Sequence, residues 1–587
     1  MDETREVPPA RVRRGSRGLP ALGLLLCVAF VAGARIDPEF RADSVSYFAW
    51  LRSAYFDHDL DFANEWAHWG LKELPETATG LRRNVHSVGP ALLWSPFYVA
   101  ADLYVAATGA FPRDGYSLPY RRAAGLGTLA VVALGAWLLS RMLAPRVGPR
   151  TAALVVAAAV LGSPIVYYAL VVPTMAHGAT FGASAALVWA WDRARRQPSL
   201  QSWCVLGALL GVAALMRWQA AALALLVLPL AIHARRSLRP SWLLAAAGAG
   251  VAVFSPQILA WHALYGRWLT IPQGEGFMDW SSPHLLDVLL SADHGLFAWM
   301  PVMLLGALGL VLGLREDAML FGGSLSVFAA TAWVNGSVYD PAGGDAFGAR
   351  RFDLCVPLLA LGLGVCTRAA AAVLRRRPIL GPAAALVLLA AWNLGLVVLF
   401  HRGEYPQAAP LERVAGDQAG LLRRALQDVA GAVGGPRASA VVYKYLSAEY
   451  LYTRFNPGGT LALGNMDDRE LRGAWSSRRR KPGEPAFRWA LAPESCVRVP
   501  LDTPFDLRVA VTARAPREVQ PQVMTVAANG HVVGTAPVGT DWGDSVLLVP
   551  KAALVPGENW LCLRFSREWP GEEGLRAAAA VSTIQLP

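Results

Sequence analysis

Five polar stretches interrupt an otherwise apolar chain, and each carries residue types suited to moving a proton or holding an anion. Asp43 leads the run Ser44 to Leu51, which holds Tyr47, Phe48 and Trp50, so its carboxylate would stand at the water–lipid boundary. A lipid-linked substrate presents its polar head there; the competing use of an Asp at this spacing is a helix N-cap. Asp57, Asp59, Asp61 and Glu65 follow in the same loop as secondary acidic candidates, or as a solvated face. His177 sits at the mouth of an apolar block, and Arg217 interrupts an apolar run. A charge that deep in a bilayer costs about 2.5–3.5 kcal/mol unless it faces a cavity or water, so Arg217 belongs at an external bend lining a cavity. His294 opens another block, and Arg350 and Arg351 open a further one. Paired guanidinium groups on the outer side suit an anion such as phosphate.

The elements that must position these residues are membrane helices. Of 587 residues, 54% are hydrophobic and only 17% charged, well below the roughly 25% charged of a soluble domain. From Leu19 to Phe400 the apolar residues form blocks of roughly 16 to 25, long enough to cross a bilayer as helices. The formal net charge of +11 does not indicate nucleic acid, because the basic residues sit between the blocks rather than on one face. Arg11, Arg13, Arg14 and Arg17, then Arg141, Arg146 and Arg150, then Arg193, Arg195 and Arg196, then Arg235, Arg236 and Arg239, then Arg375, Arg376 and Arg377 follow the positive-inside pattern.

With Leu19 to Ala34 as a retained signal anchor, that pattern requires one of two blocks, Pro90 to Phe111 and Ala123 to Leu143, not to cross. The first carries Pro90, Pro96 and Asp102 and is expected to be re-entrant or surface-lying. The rest alternate as Thr151 to Val172, His177 to Trp191, Trp203 to Leu215, Trp218 to Ile232, Trp242 to Ala263, Leu296 to Leu314, Ala318 to Val334, Phe352 to Cys366 and Ile379 to Phe400. The expectation is a polytopic α-helical membrane protein of about eleven spans, with a carboxyl-terminal β-sandwich outside the cytoplasm. Its parts are a basic cytoplasmic tail at 1–18, a transmembrane domain at 19–402 with a first periplasmic loop at 35–122, a helical or irregular connector at 403–484, and the sandwich at 485–587.

In that outer domain Phe505 to Val511, Val546 to Val549 and Trp560 to Phe565 alternate as strands, and Asn529 with Gly530 is a hairpin turn. Cys496 and Cys562 fall in expected strands, where a disulfide is permitted and a small buried core residue is the alternative. No CxxC pair, HExxH, P-loop or GxGxxG is present, which argues against zinc sites, ATP hydrolysis and nucleotide-cofactor redox chemistry.

Asp43 to Phe48, the His-Gly-Leu-Phe-x-Trp-x-Pro stretch from His294, and the Gly-Gly-x-x-Phe-Gly-x-Arg-Arg stretch from Gly343 resemble the GT-C superfamily of integral-membrane glycosyltransferases over about residues 19 to 400. Closest in kind are bacterial relatives of the protein O-mannosyltransferases and the lipid A aminoarabinose transferase. The resemblance implies a polyprenyl-phosphate sugar donor, a bacterial inner (cytoplasmic) membrane with a periplasmic active site and a periplasmic carboxyl-terminal domain, and inverting transfer, with Asp43 matching the family's first-loop catalytic acidic residue. Asp43 would be the general base for an acceptor hydroxyl. Arg217, Arg350 and Arg351 would stabilise the leaving phosphate, and His177 and His294 would contact sugar or phosphate. At the Asp43 position itself an adjacent Asp-Glu or Asp-x-Asp pair is lacking, so a divalent metal and the acceptor, whether glycan, lipid or protein, stay open; no metal ligands are assigned.

Two readings of other classes stand beside this one. A secondary transporter or flippase for a lipid-linked or anionic substrate would also have a polar cavity among its helices, but calls for discontinuous helices at mid-membrane and internal repeats, and gives no reason for a long acidic first loop. A non-catalytic membrane scaffold would work through its outer domain, with Trp542 and Trp560 as a sugar-binding surface.

Overall fold

The computed structural model describes residues 38–401, 413–423 and 459–586, apart from 39, 41, 70–74, 110, 235–238, 275, 345, 375–379, 421, 464–470, 477–478, 480–483, 502–503, 556 and 571–575. The first apolar block, its basic tail, most of the connector and the arginines at 235, 236 and 375–377 lie outside the described residues.

Every later block is helical. Among the described residues, five helical stretches are long and apolar enough to cross a membrane by length and composition: Leu118–Val147, Pro240–Tyr265, Ala318–Gly336, Arg350–Val373 and Gly381–Phe400. Pro149–Leu161, Leu200–Met216, Trp218–Ala234 and Pro301–Gly313 are apolar but shorter, and Ala176–Arg196 has the length with a more polar face. Two expected continuous spans are broken. Thr151 to Val172 is split into Pro149–Leu161 and Ile165–Leu170, and Leu296 to Leu314 into Leu296–Trp299 and Pro301–Gly313. Proline stands at each break, Pro164 and Pro301, where a missing N–H and a fixed φ interrupt the hydrogen-bond ladder. Helices approach closely where glycine allows it. A Cβ on Gly309 would lie 1.8 Å from the carbonyl oxygen of Gly362, so Pro301–Gly313 and Val356–Val373 touch backbone to backbone.

The Pro90 to Phe111 block is one continuous helix, Gly89–Thr108, not a re-entrant hairpin, and it is not among the candidate spans. Asp102 is buried on it and accepts hydrogen bonds from Tyr55 (2.9 Å), Tyr120 (2.7 Å) and both Nε and Nη2 of Arg113 (2.8 and 2.7 Å). This carboxylate ties the outer loop to the helix Leu118–Val147. Helix Ala42–Arg52 is seated by the same logic: its Phe48 is fully buried, Asn84 Nδ2 donates to Ser46 O (2.8 Å), and Trp50 Nε1 donates to His86 O (3.1 Å). These bonds fix its first turn, where Asp43 lies.

The carboxyl-terminal domain is all β: β1 Gly459–Ala462, β2 Leu471–Trp475, β3 Arg488–Leu501, β4 Leu507–Arg514, β5 Gln522–Ala528, β6 His531–Val538, β7 Gly543–Val549, β8 Gly557–Phe565, β9 Trp569–Pro570 and β10 Arg576–Leu586. The antiparallel order is β6-β5-β8-β3-β10-β4-β7, with β1 and β9 on β10 and β2 on β3. The two ends of that path, β6 and β7, are consecutive in the chain, so the sheet curls until it is nearly a barrel. The expected sandwich is thus one sheet folded over its core. Register shifts at Ala577/Ala579 and Val581/Thr583 bend β10 between its partners β3 and β4. Asn529 and Gly530 both take positive φ, 49° and 86°, as a two-residue hairpin needs. Cys496 and Cys562, directly opposite on β3 and β8, form a disulfide.

Candidate active site

A cavity of about 540 Å³ opens between the first loop and the helical domain, lined by Asp43, Tyr47, His86, Tyr168, His177, Arg217, Arg350 and Arg351 among others. Five of the six leading sequence candidates converge on it from four separate segments.

Asp43 comes from the first turn of Ala42–Arg52, within the helix rather than capping it, and Tyr47 stands one turn on. Arg350 donates from Nη1 to Asp43 Oδ2 at 2.9 Å and from Nη2 to Gly343 O at 3.1 Å. The loop that delivers Arg350 turns through Gly343, Gly344 and Gly348, at φ 85°, 67° and 60°, values that L side chains rarely adopt. Arg350 and Arg351 then start a 3-10 turn, Arg350–Cys355, leading into Val356–Val373. Arg351 donates to the Asp340 carbonyl, so both guanidinium groups are tied to the loop backbone while facing the cavity.

Arg217 sits at the break between Leu200–Met216 and the 3-10 turn Trp218–Leu223 with extended backbone (φ −149°, ψ 120°), the bend expected of it. It donates to Asp353 Oδ2 at 2.7 Å, and His177 Nδ1 lies 2.8 Å from the same oxygen. Asp353, His86 and Tyr47 were not among the sequence candidates. Asp353 follows the arginine pair by two residues in the same turn, so its signal was a carboxylate at the buried start of an apolar span.

The electrostatics follow from burial and arginine. Burial acts to raise the Asp43 carboxyl, but the Arg350 guanidinium beside it outweighs that and holds it well below the usual carboxylate range. His86, whose Nε2 is 3.7 Å from Asp43 Oδ1, is lowered by burial despite that carboxylate. Burial pushes the Tyr47 phenol up to about 12. Asp43 is therefore ionised beside the Arg350 guanidinium.

Other candidates lie elsewhere. His294, in the left-handed region at φ 62°, packs at a tilt against Trp299 (4.6 Å between centroids); Trp299 packs on Phe347, and it is Phe347 that lines the cavity. The secondary acids serve the loop itself. Asp57 pairs with Arg52 and accepts from Asn64 Nδ2 (2.6 Å), Asp59 accepts from Ser53 Oγ (2.7 Å), Asp61 accepts from the Ala63 amide (3.3 Å), and Glu65 is buried against Arg52 (3.1 Å). None of the four lines the cavity. Trp560, one of the two tryptophans of the scaffold reading, has the Arg472 guanidinium over its ring, and Trp542 packs against Phe487 beneath Arg514.

A family model described as dolichyl-phosphate-mannose-protein mannosyltransferase matches residues 121–261. Among solved structures, the chain is similar to ArnT from Cupriavidus metallidurans in the apo state, at 14% identity and TM-score 0.41, with 74% of each chain covered. The same protein bound to undecaprenyl phosphate gives 14% identity and TM-score 0.43, covering 78% of this chain and 84% of that one. The arabinosyltransferase EmbB from Mycobacterium smegmatis gives 13% identity and TM-score 0.38, covering 100% of this chain and 66% of that one. No curated protein matches the chain.

Proposed function

We propose that this protein transfers a sugar from a polyprenyl-phosphate donor to an acceptor hydroxyl at the outer, periplasmic face of the inner membrane. The carrying observation is the convergence of Asp43 with Arg217, Arg350 and Arg351 on one cavity. A carboxylate alone could serve many ends, and three guanidinium groups alone could hold any anion. Together they match the two needs of this reaction, a base for a poor nucleophile and positive charge for a phosphate leaving group. The family match over residues 121–261 supports the same class, since those residues supply His177 and Arg217.

In the step itself the acceptor O–H gives its proton to Asp43 while its oxygen attacks the anomeric carbon. The bond from that carbon to the phosphate oxygen breaks, and its electron pair leaves with the polyprenyl phosphate. Attack opposite the leaving group inverts the centre. Arg350 and Arg351 neutralise the phosphate as charge develops, with Arg217 close by in the same wall. The acceptor class is a glycan, lipid or protein hydroxyl.

The test is transfer by purified full-length protein from a panel of labelled polyprenyl-phosphate sugars, with products identified by mass. A glycosylated product with release of polyprenyl phosphate is expected. Movement of intact lipid-linked sugar across proteoliposomes without product would replace this reading with the flippase.

A further inference from the structure

His177 opens helix Ala176–Arg196, and its ring forms part of the cavity wall. Its Nδ1 lies 2.8 Å from Asp353 Oδ2, an oxygen that also accepts from Arg217 at 2.7 Å. Two lone pairs cannot face each other at that separation, and a carboxylate paired with a guanidinium has no proton to offer. The shared proton therefore sits on Nδ1. A second proton, on Nε2, would place an imidazolium 3.3 Å from the Arg217 guanidinium with a single buried carboxylate between them. The neutral ring leaves Nε2 with a lone pair. Tyr168 packs on the ring at 4.5 Å, and Nε2 has no protein partner among the described residues.

The geometry assigns His177 as the acceptor of a substrate hydroxyl, oriented by Asp353 as a positioning residue. A phosphate oxygen is itself an acceptor and cannot bond to a lone pair, so anion binding falls to the arginines and His177 reads sugar chemistry. The inference rests on the proposed function and narrows it: one hydroxyl, of the donor sugar or of the acceptor, must point at Nε2.

His177→Asn separates this role from folding, because the Asn amide can still donate to Asp353 while the Nε2 acceptor is gone. Three quantities are measured on full-length protein in nanodiscs: affinity for undecaprenyl phosphate, affinity for undecaprenyl-phosphate mannose and glucose, and acceptor KM in the transfer reaction. The expected result is undecaprenyl phosphate affinity within twofold of wild type, with a loss of roughly five- to tenfold, the worth of one neutral hydrogen bond, in one of the other two. A loss in sugar-lipid affinity places the hydroxyl on the donor; a raised acceptor KM at unchanged kcat places it on the acceptor. Weakening of plain undecaprenyl phosphate as severe as that of Arg350→Gln makes His177 a phosphate ligand and overturns the assignment. No change in any of the three overturns it equally. If wild type binds neither undecaprenyl phosphate nor its sugar forms, the failure lies with the proposed function itself.

Discussion

The Asp43 carboxylate and the Arg350 guanidinium, 307 residues apart in sequence, meet at 2.9 Å in the wall of the cavity. The proposed base and the proposed phosphate ligand thus hold each other before substrate arrives. A donor phosphate that takes up Arg350 draws it from Asp43, and the carboxylate becomes more basic as its positive partner turns away. The pair is a structural reason for donor to bind before acceptor.

Arg350→Gln is expected to weaken undecaprenyl phosphate binding roughly ten- to a hundredfold, the range for a lost charge-assisted hydrogen bond. Arg351→Gln should do the same. In Arg350→Gln the strongest influence holding the Asp43 carboxyl low is also removed, leaving burial less opposed. The acid limb of the rate profile must then move to higher pH. Initial rates from pH 4 to 8 test this; an unmoved acid limb together with unchanged donor binding would make the pair structural.

The sequence exposed those members of the site whose chemistry clashed with their surroundings. Arg217 in an apolar run and Arg350 with Arg351 on the wrong side for the positive-inside pattern were legible because charge there is costly. Asp353 was not legible: its partners lie 136 and 176 residues away, and nothing local distinguishes it from a carboxylate at a span boundary. Glu65 and the neighbouring aspartates looked like candidates for the opposite reason. They are dense in sequence, but Arg52, Asn64, Ser53 and nearby amides satisfy them within the loop. The helical blocks were legible from apolar length, whereas the breaks at Pro164 and Pro301 needed backbone hydrogen-bond accounting as well.

Glu65 sets a pH dependence of stability. Burial pushes its carboxyl up to about 7 from an ordinary value of 4.5, with Arg52 opposing. The folded state therefore binds this proton more tightly than the unfolded chain, so the contribution of Glu65 to stability rises as pH falls from 7 to 4.5 and is flat below that window. Melting curves of wild type and Glu65→Gln should converge near pH 4.5 and separate above pH 7, with the variant the more stable. A wild-type protein more stable than Glu65→Gln at pH 8 would show that the Arg52 pair outweighs burial.

The helix Gly89–Thr108 is expected to lie wholly on the outer side, because Asp102 and its three partners anchor it to the loop. Single cysteines at the exposed positions Ala107 and His531 should react with a membrane-impermeant maleimide in spheroplasts. Protection of Ala107→Cys with labelling of His531→Cys would make this helix a crossing; protection of both would invert the topology of the chain.

Asp43→Asn tests the base directly. Asp43 lies inside the first turn of Ala42–Arg52, so its charge favours the helix through the macrodipole by only ~0.3–1 kcal/mol. The helix is held mainly by its buried Tyr47, Phe48, Trp50 and Leu51. Asn keeps the side-chain size and can still accept from Arg350 through its amide oxygen. Folding should survive, and the melting midpoint should move by no more than a few degrees. Without a carboxylate to take the acceptor proton, transfer should fall by about 10² to 10⁴. Affinity for undecaprenyl phosphate should hold or rise, since Arg350 is released from its anionic partner. The three readouts separate the accounts: a structural Asp43 would lower stability and leave turnover, and a phosphate-site residue would change lipid affinity in step with rate. Near wild-type transfer by well-folded Asp43→Asn would remove Asp43 as the base. With none of Asp57, Asp59, Asp61 or Glu65 in the cavity wall, His177 through its Nε2 would be the next group to test.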